Sequence, residues 1–452
     1  MVHLLVASTI AGVYFAYNAL FLLALVLSSP WWLLQMLRHG KYRAGLGERL
    51  GTVPGRLHDA QGRETIWIHA VSVGEVLAVS RMVEELKARL PEWRIVVSTT
   101  TDTGQKLARE RFGESNVFYF PLDLWFTVGA YLHALRPKLV VLAESEFWPN
   151  LLHLAKNSGA AVAVVNARVS DRSLPRYLRF RKLLQRVLSN VDLFLAQSEE
   201  DARRLVQIGA PTERVQVGGN LKFEVNAPAE AQIVDAFESA VERAEIGPIL
   251  VAGSTLAGED EMLVECFHQM KNDYPSALMV LAPRHPQRFD AVAALLADSG
   301  LRWLRRSRWN GQQLLGEDVL LLDTIGELAS LYDFADVAFV GGSLVPKGGH
   351  NVLEAAQFGV TILVGPHTEN FRDVIGIFQQ ANALRVVTPE SLTPTVMALL
   401  QDDEERERLG ERALGVMQVQ KGATMRTVAA LLTLLHTESV LRTGETVAES
   451  QV

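Results

Sequence analysis

Short β-rich apolar runs alternate with amphipathic stretches along most of the chain, in two separate series. This alternation is typical of parallel sheets covered by helices on both faces. The predicted strands of the first series are Thr65–Val71, Arg94–Thr100, Asn116–Phe120, Lys138–Ala143, Ala161–Asn166 and Asp192–Ala196. Those of the second series are Pro248–Gly253, Ala277–Ala282, Val319–Leu322, Val337–Val340 and Thr361–Val364. We therefore expect an α/β protein with two Rossmann-like, doubly wound domains whose strand ends face each other across a cleft.

Changes in composition along the 452 residues indicate where these domains begin and end. We expect a membrane anchor and juxtamembrane segment at 1–45 and an N-terminal domain at 46–222. A polar linker at 223–247 would lead to a C-terminal domain with terminal helices at 248–436, and the last residues, 437–452, would form a flexible tail.

The overall composition excludes several classes of protein. Hydrophobic residues make up 48% and charged residues 21% of the chain, which argues against disorder. A net charge of -7 argues against a dedicated nucleic-acid binder, so we expect no nucleic-acid partner. The single cysteine, Cys266, cannot form an internal disulfide, which fits a catalytic body in a reducing compartment.

The segment from Leu4 to Leu27 contains no charged residue and predicts a transmembrane helix. A helix of this length reaches about 36 Å, against roughly 30 Å for the hydrocarbon core of a bilayer. A cleaved signal peptide is the alternative. The apolar stretch is too long for one, however, and the positively charged segment that should precede it is missing, since His3 is the one basic residue there. The cations that follow the stretch are Arg38, Lys41, Arg43 and Arg49. The positive-inside rule then predicts a single-pass protein with both domains in the cytoplasm.

Several common fingerprints are missing from the sequence. It contains no G-x-G-x-x-G, Walker A, H-E-x-x-H or G-x-S-x-G motif. It also contains no Asp-x-Asp pair, the motif that binds the metal ion and the diphosphate in one large class of glycosyltransferases. This favours the metal-independent, two-domain class, and we expect no metal site.

The densest cluster of candidate binding residues runs from Gly341 to Glu354, directly after the predicted strand Val337–Val340. Its glycines allow backbone amides to approach an anion, and a helix beginning near His350 or Asn351 would aim its positive end at a phosphate. Glu354 could then accept hydrogen bonds from two ribose hydroxyls. The alternative is a Gly-rich turn in which Asn351 caps the helix and Glu354 is a favourable first-turn acid. The candidate nucleotide-binding residues here are Gly348, Gly349, His350, Asn351 and Glu354.

Two further strand ends of the second series carry polar loops. Ser254 and Thr255 follow its first strand and can donate hydrogen bonds to phosphate oxygens. Arg284 and His285 follow its second strand, and an Arg can pair with phosphate or carboxylate. Each loop alone is most simply an ordinary surface turn. Because both lie at the same edge of one predicted sheet, we expect them to form an anion pocket together.

Three acidic residues follow strands of the first series. Glu75 comes after the turn Ser72-Val73-Gly74, at the start of a helix whose dipole would keep it ionised and able to accept a proton from a hydroxyl. The alternative is a favourable N-terminal acid without chemistry. Glu144 and Glu146 end another strand, where both carboxylates could point into the cleft to bind substrate or hold cationic side chains.

A basic stretch runs from Arg168 to Arg186, with Asp171 as its one acidic residue. Interleaved leucines and a valine predict a basic amphipathic helix. It is either a solvated face or a contact with anionic lipid, to which each cation contributes about 1 kcal/mol. The candidate residues of this stretch at the cleft are Arg168, Arg172 and Arg176.

The motifs taken together resemble those of the 3-deoxy-D-manno-octulosonic acid (Kdo) transferases of lipopolysaccharide biosynthesis. The resemblance covers nearly the whole chain and rests on the order of an N-terminal anchor, HAVSVGEV, ESEFWPN, NARVSDRS, GGNLKFE, AGSTLAGE, PRHPQR and GGSLVPKGGHNVLE. It implies a glycosyltransferase of the GT-B type at the cytoplasmic face of the bacterial inner membrane. Such an enzyme would transfer Kdo from CMP-Kdo to the lipid A precursor lipid IVA, with inversion and without a metal or other cofactor.

The resemblance also assigns roles to residues. It implies that the domain at 46–222 binds the acceptor, with Glu75 as the general base and Lys222 near the interdomain cleft. It also implies that the candidate residues of the second series bind the donor. Two other functions stay open on the residues alone. One is a different nucleotide-sugar enzyme of the same architecture, such as an epimerase, and the other is a non-catalytic membrane scaffold.

Overall fold

The structure, a computed structural model, describes residues 2–39, 44–58, 62–223, 233–309, 311 and 316–449. They divide into two compact units: the first comprises residues 1–224 and 422–452, and the second comprises residues 225–421. Lys41 and Arg43, two of the cations expected to follow the span, lie outside the described residues, as do residues 224–232 of the expected linker.

A parallel sheet forms the centre of the first unit. Within the described part of that unit its strands are β1 (Thr65–His69), β2 (Arg94–Thr99), β3 (Val117–Tyr119), β4 (Leu139–Ala143), β5 (Ala161–Ala167), β6 (Leu193–Ala196) and β7 (Val215–Val217). Their order across the sheet is β3-β2-β1-β4-β5-β6-β7. Side chains alternate between two hydrophobic clusters, with Ile66 and Ile68 on one face and Trp67 on the other. Burial of both faces explains why the strands read as continuous apolar runs.

Helices cover both faces of this sheet. In chain order the helices of this unit are α1 (Val2–His39), α2 (Leu46–Arg49), α3 (Val73–Arg89), α4 (Asp102–Phe112), α5 (Trp125–Leu135), α6 (Pro149–Asn157), α7 (Leu174–Arg179), α8 (Arg181–Leu188) and α9 (Glu199–Ile208). Val79 of α3 packs in the cluster around Ile66, and Val128 of α5 and Leu151 of α6 pack in the cluster around Trp67.

The second unit repeats this architecture. In its described residues the strands are β8 (Ile249–Thr255), β9 (Leu278–Pro283), β10 (Trp303–Arg305), β11 (Val319–Leu321), β12 (Val337–Val340), β13 (Thr361–Val364) and β14 (Arg385–Val386). They are parallel and lie in the order β10-β11-β9-β8-β12-β13-β14. Its helices are α10 (Ile233–Arg243), α11 (Glu259–Asp273), α12 (Phe289–Asp298), α13 (Leu328–Leu331), α14 (Leu353–Ala356), α15 (Arg372–Gln380), α16 (Pro389–Gln401) and α17 (Asp403–Gln420). The predicted α/β class with two doubly wound parallel sheets is confirmed.

Three strands were not predicted: β7, β10 and β14. Each has two or three residues, lies at the edge of its sheet and contains no buried residue. These three edge strands are covered too little to bury a residue, so they need no continuous apolar run and the hydrophobic pattern gives no signal for them. The edge strand β3 is buried at all three residues and was predicted.

The chain divides differently from the expected boundaries. Helix α10 falls within the expected linker and buries Ile233, Phe237 and Ala240 in the second unit. A further helix, α18 (Ala423–Glu449), covers the end of the expected C-terminal domain and most of the expected tail. It belongs to the first unit, where Val428 and Leu431 pack in the cluster of α3. Its apolar residues predict that it packs on a core, but they do not indicate which one.

The N-terminal helix α1 is longer than the predicted apolar stretch. Within it, the segment Gly12–Trp32 is long and apolar enough to cross a membrane, with a mean hydropathy of 1.7. It is the one such segment in the described residues.

Candidate active site

Both sheets reverse their strand order at one point, and the candidate residues gather at the carboxyl ends of the strands there. The reversal lies between β1 and β4 in the first sheet and between β8 and β12 in the second. Ligands of open parallel sheets bind outside the carboxyl ends of the strands at such a point. Glu75 follows β1 and Glu144 follows β4, while Ser254 lies near the end of β8 and Gly341 follows β12.

The carboxylate of Glu75 is held beside the end of β1. Glu75 is the third residue of α3, and its side chain turns back toward the strand. Oε2 accepts a hydrogen bond from Val71 N at 2.8 Å, and Oε1 accepts one from Ser72 Oγ at 3.1 Å. Glu75 is only 7% exposed, so its position is fixed by backbone and packing rather than by solvent.

Two more carboxylates, those of Glu144 and Glu146, act on Glu75, and Glu144 is itself paired with a cation. Glu144 adopts a left-handed backbone with φ of 57°, which turns the chain directly after β4. Lys222 Nζ lies 2.7 Å from Glu144 Oε1. The charges of Glu144 and Glu146 both act on Glu75, so the fold gathers all three predicted acids at one strand-order reversal.

The protonation of Glu75 differs from the sequence expectation. Burial, followed by the negative charge of Glu144, raises the pKa of Glu75 to about 8, although the bond from Val71 N lowers it. We expected the helix dipole to keep this carboxylate ionised. Removal from water and the neighbouring acids instead outweigh the helix terminus, and Glu75 is largely protonated at neutral pH.

Two asparagines that were not among the predicted site residues hold the turn that carries Lys222. Asn166 Oδ1 accepts a hydrogen bond from Leu221 N at 2.9 Å, and Asn220 Oδ1 accepts one from Lys222 N at 3.0 Å. Both asparagines are buried. They belong to the motifs NARVSDRS and GGNLKFE, and their place in these motifs could have identified them from the sequence as site residues.

In the second unit, the Gly-rich turn after β12 binds an anion supplied by the chain itself. The Glu259 carboxylate accepts hydrogen bonds from the backbone N–H groups of Gly342 at 2.7 Å and of Ser343 and Leu344 at 2.9 Å. It also accepts one from Leu256 N at 2.8 Å and is fully buried. The amides that we expected to approach a phosphate therefore hold Glu259, which was not among the predicted site residues.

Thr255 is likewise occupied within the protein. Its hydroxyl donates to Asp260 Oδ1 at 2.6 Å, and Asp260 also pairs with Arg288. The expected hydrogen bond from the Thr255 hydroxyl to a phosphate is therefore not available in this structure. Ser254 is only partly buried and has a left-handed φ of 55°, so its side chain leaves the strand in a different direction.

Four predicted donor-site residues come together at this edge of the second sheet. Arg284 and His285 are exposed directly after β9, and both act electrostatically on His350. Burial first, and then these two groups, lower the pKa of His350 to about 4, so its ring is neutral at pH 7. Its Nε2 atom is buried and has no partner among the described residues, which leaves it for a ligand. Arg284 also acts on Glu354, whose pKa burial raises.

The helix expected near His350 begins later and is shorter. Helix α14 starts at Leu353 and has four residues, so its dipole is a poor phosphate site. Asn351 Oδ1 accepts a hydrogen bond from Leu353 N at 3.2 Å, but the N-cap residue is Val352, so Asn351 contacts the first turn of the helix without capping it. Asn351 Nδ2 lies 3.5 Å from Glu354 Oε1 and orients that carboxylate.

Gly348 and Gly349 form a turn braced by the loop after β13. Both have positive φ, 89° and 74°, which favours glycine. Asn370 N donates to Gly348 O at 2.9 Å, and Asn370 Nδ2 donates to Lys347 O at 3.1 Å. Gly349 N donates to Gly342 O at 2.7 Å, so these two glycines shape the pocket through the backbone.

The basic stretch forms two helices instead of the single one predicted. Helix α7 ends at Arg179 and α8 begins at Arg181, with Phe180 between them. Arg168 lies before both, and its backbone N–H donates to Ser145 Oγ at 3.0 Å, beside Glu144 and Glu146. Arg172 and Arg176 lie further along the chain on exposed positions.

In the described ranges, no group of three or more His, Cys, Asp or Glu side chains is placed to hold a metal ion.

Comparison with known proteins decides the family. A profile described as 3-deoxy-D-manno-octulosonic-acid transferase (kdotransferase) matches residues 44–225, and one described as glycosyl transferases group 1 matches residues 270–415. The chain is 36% identical over 397 residues to the 3-deoxy-D-manno-octulosonic acid transferase of Haemophilus influenzae, which covers 86% of this chain and 91% of that protein. The chain belongs to the Kdo transferase family. It is a glycosyltransferase by both profiles.

One solved structure resembles the transferase in fold over most of the chain. A protein from Listeria monocytogenes, named provisionally as a UDP-N-acetylglucosamine 2-epimerase, is 14% identical and covers 83% of this chain and 97% of its own, with a TM-score of 0.50. At this identity the likeness shows the fold alone. The C-terminal CMP-Kdo binding domain of WaaA from Acinetobacter baumannii is 30% identical, covers 41% of this chain and 98% of its own, and has a TM-score of 0.38.

Proposed function

We propose that this transferase moves Kdo from CMP-Kdo to the lipid A precursor lipid IVA, at the cytoplasmic face of the bacterial inner membrane. One observation carries the proposal. In a chain of the Kdo transferase family, Glu75 is a buried carboxylate held at the strand-order reversal of the first sheet, where a substrate hydroxyl would bind.

Glu75 is the proposed general base. A base is most effective when its pKa is near the working pH, because it must both be ionised and take up a proton. Burial and Glu144 bring the pKa of Glu75 to about 8, which meets this condition. Lys222 balances the charge of Glu144 at 2.7 Å and so keeps Glu75 from becoming a weaker acid still.

The second unit is the proposed donor site. The exposed Arg284 and His285 would pair with the phosphate of CMP and with the sugar carboxylate. The unpartnered His350 Nε2 and the Glu354 carboxylate would form hydrogen bonds to the nucleoside. As the bond to CMP breaks, negative charge grows on the phosphate, and a cation already in position stabilises it without reorganisation.

We further propose that transfer occurs in one displacement, which inverts the anomeric carbon, and that it requires no metal and no resident cofactor. Glu75 would take the proton of the acceptor hydroxyl while CMP leaves. Arg168, Arg172, Arg176 and Glu146 are the proposed acceptor-side residues, with the arginines suited to the acceptor phosphates.

The test uses the full-length protein in detergent with CMP-Kdo and lipid IVA. We expect CMP release that depends on the lipid, a lipid product heavier by Kdo in mass spectrometry, an inverted anomeric signal in NMR, and an unchanged rate after chelation by EDTA. Consumption of CMP-Kdo without lipid would instead favour an epimerase-like enzyme, and binding without turnover would favour a scaffold.

A further inference from the structure

The apolar helix α1 is fastened to the first unit near the middle of its apolar segment. Asn18 is only 8% exposed and exchanges two hydrogen bonds with Asn150: each Nδ2 donates to the other's Oδ1 at 3.0 Å. Trp125 N also donates to Asn18 Oδ1, at 3.1 Å. This pair of side-chain amides fixes the position of α1 on the first unit, because any shift of α1 would leave buried polar groups without partners.

Two tyrosines of α1 extend this contact. Tyr17 Oη donates to Asp123 Oδ2 at 3.0 Å, and Asp123 also accepts hydrogen bonds from Asn150 N at 3.0 Å and Leu151 N at 2.9 Å. The Tyr14 ring stacks on His153 at 4.0 Å between centroids. We call Tyr14, Tyr17 and Asn18 with Asp123, Asn150 and His153 the Asn18 clamp.

The chain that follows α1 returns to the same place. Leu122 N donates to Arg49 O at 2.8 Å, and Leu122 is only three residues from Trp125. Three residues extend over roughly 10 Å at most. The chain therefore leaves this spot at Asn18 and is back beside it at Arg49.

These two contacts are incompatible with a crossing helix. If Gly12–Trp32 crossed with the units in the cytoplasm, Trp32 would mark the cytoplasmic boundary and Asn18 would lie about 21 Å deeper. Asp123 and Asn150 would then lie more than halfway through a hydrocarbon core of about 30 Å. If α1 were reversed, with Gly12 at the cytoplasmic boundary and the units still in the cytoplasm, the chain would have to return across the bilayer between His39 and Gly45. These residues reach only about 20 Å, which is less than the thickness of the hydrocarbon core.

We infer that α1 does not cross the bilayer but lies along its surface, docked on the first unit by the Asn18 clamp and covered on its outer side by lipid. The inference rests on the proposed function, transfer to a lipid acceptor at the membrane surface. It replaces the expected single-pass topology. The partner is the boundary between headgroups and acyl chains of one leaflet. The outer side of α1 is apolar and exposed at Phe15, Leu20, Leu23, Val26 and Leu27.

Neighbouring residues of the first unit suit the same boundary. Trp125 and Phe126, beside the clamp, are 61% and 45% exposed, and aromatic rings are favoured at the level of the headgroups. Tyr14 Oη accepts a hydrogen bond from Asn190 Nδ2 at 3.2 Å, which ties α1 to the end of the basic helix α8. The cations of α8 are therefore placed to pair with anionic headgroups of the same leaflet.

The clamp also relates the membrane to the site. Asn150 follows Glu146 by four residues at the carboxyl end of β4, where the acids around Glu75 gather. A docked α1 brings the bilayer surface to this edge of the sheet. A lipid acceptor could then reach Glu75 without leaving its leaflet.

Topology is the first test, and the chain is well suited to it because its single cysteine, Cys266, is buried. One variant carries a cysteine in a short hydrophilic extension before Met1, and a second carries Glu114→Cys, at a side chain that is 78% exposed. Both are treated with a membrane-impermeant maleimide in spheroplasts. We expect both to be labelled only after permeabilisation. Labelling of the extension alone in intact spheroplasts would overturn the inference. Labelling of both would keep it and contradict the cytoplasmic site of the proposed function.

A second test examines the clamp in native membranes. We expect Asn18→Cys with Asn150→Cys to form a disulfide under mild oxidation, detected by mass spectrometry. Leu27→Cys with Asn150→Cys is the matched control, because Leu27 lies nine residues further along α1 and is 72% exposed. Failure of the first pair to cross-link in folded, active protein, or equal cross-linking of both pairs, would overturn the docking.

Discussion

Lys222 Nζ lies 2.7 Å from Glu144 Oε1, and the charge of the same Glu144 raises the pKa of Glu75. Two residues that are 78 positions apart in sequence thus form an ion pair that influences the pKa of the proposed general base. Lys222 balances one of the two negative charges that act on Glu75. The pair therefore links the polar turn after β7 to the chemistry expected at β1.

The pH dependence of the reaction tests this relationship. A base must be ionised, so kcat/KM should rise with pH through about 8, the pKa of Glu75. Lys222→Met leaves Glu144 unbalanced and should move this rise to higher pH. Lys156→Met is the matched control, because Lys156 pairs with Asp192 at 2.8 Å elsewhere in the first unit. An unshifted profile in the Lys222 variant would show that the pair is only structural.

Substitution of Glu75 tests its role as the base. Glu75→Gln keeps a group of the same size that can still accept the hydrogen bond from Val71 N, but it cannot take a proton. We expect kcat to fall by roughly 10²–10⁴-fold with CMP affinity unchanged. Glu84→Gln, on an exposed turn of the same helix, should retain the parent rate. A Glu75→Gln enzyme of near-normal turnover would remove Glu75 from the mechanism.

Stability should also depend on pH through Glu75. Its pKa is about 8 in the folded protein against an ordinary value of 4.5, so the folded state holds a proton that the unfolded state releases between these values. The stability that this proton provides is fully present below about pH 4.5 and is lost as pH rises through 8. The free energy of unfolding of the parent should therefore fall relative to Glu75→Gln between pH 5 and pH 9, by on the order of 2–4 kcal/mol. Urea denaturation at several pH values measures this difference, and a constant difference would contradict the raised pKa.

Glu259 should be essential for the proposed donor loop because it holds the backbone N–H groups of the turn after β12. Glu259→Gln replaces one acceptor oxygen by an N–H₂ group that faces backbone N–H groups. We expect the free energy of unfolding to fall by about 2–4 kcal/mol and CMP affinity to weaken, because the turn after β12 loses its anchor. Glu261→Gln, exposed in the same first turn of α11, should change neither quantity. Thermal unfolding and calorimetry with CMP provide the two measurements.

The Asn18 clamp predicts that a more apolar residue at position 18 destabilises the protein, whereas hydropathy alone predicts that it stabilises a membrane helix. Asn18→Leu makes α1 more apolar, yet it leaves the Asn150 side chain and Trp125 N without their partner. We expect a loss of about 1–3 kcal/mol of stability in nanodiscs. Ala16→Leu adds a similar apolar group at an exposed position of α1 and should be neutral. A stabilised Asn18→Leu protein would indicate an ordinary apolar anchor.

Local pattern was sufficient for the central strands and for the positions of most candidate residues. Each central strand is buried on both faces, so its apolar run is visible in the sequence, and a polar residue directly after it must lie at the carboxyl edge of a parallel sheet. This reasoning located Glu75, Glu144, Ser254 and Arg284 correctly at strand ends. It did not find the edge strands β7, β10 and β14, which bury no residue.

The sequence by itself therefore determined the α/β class, the central strands and the edge of each sheet at which polar residues collect, because these depend on neighbours within a few positions. Only the tertiary structure decided which partners those residues have. Glu259 fills the Gly turn more than 80 residues away, α18 packs on the first unit, and Asn18 pairs with Asn150 across 132 positions. These choices, and the raised pKa of Glu75, depend on removal from water and on charges brought close by folding, which no local pattern contains.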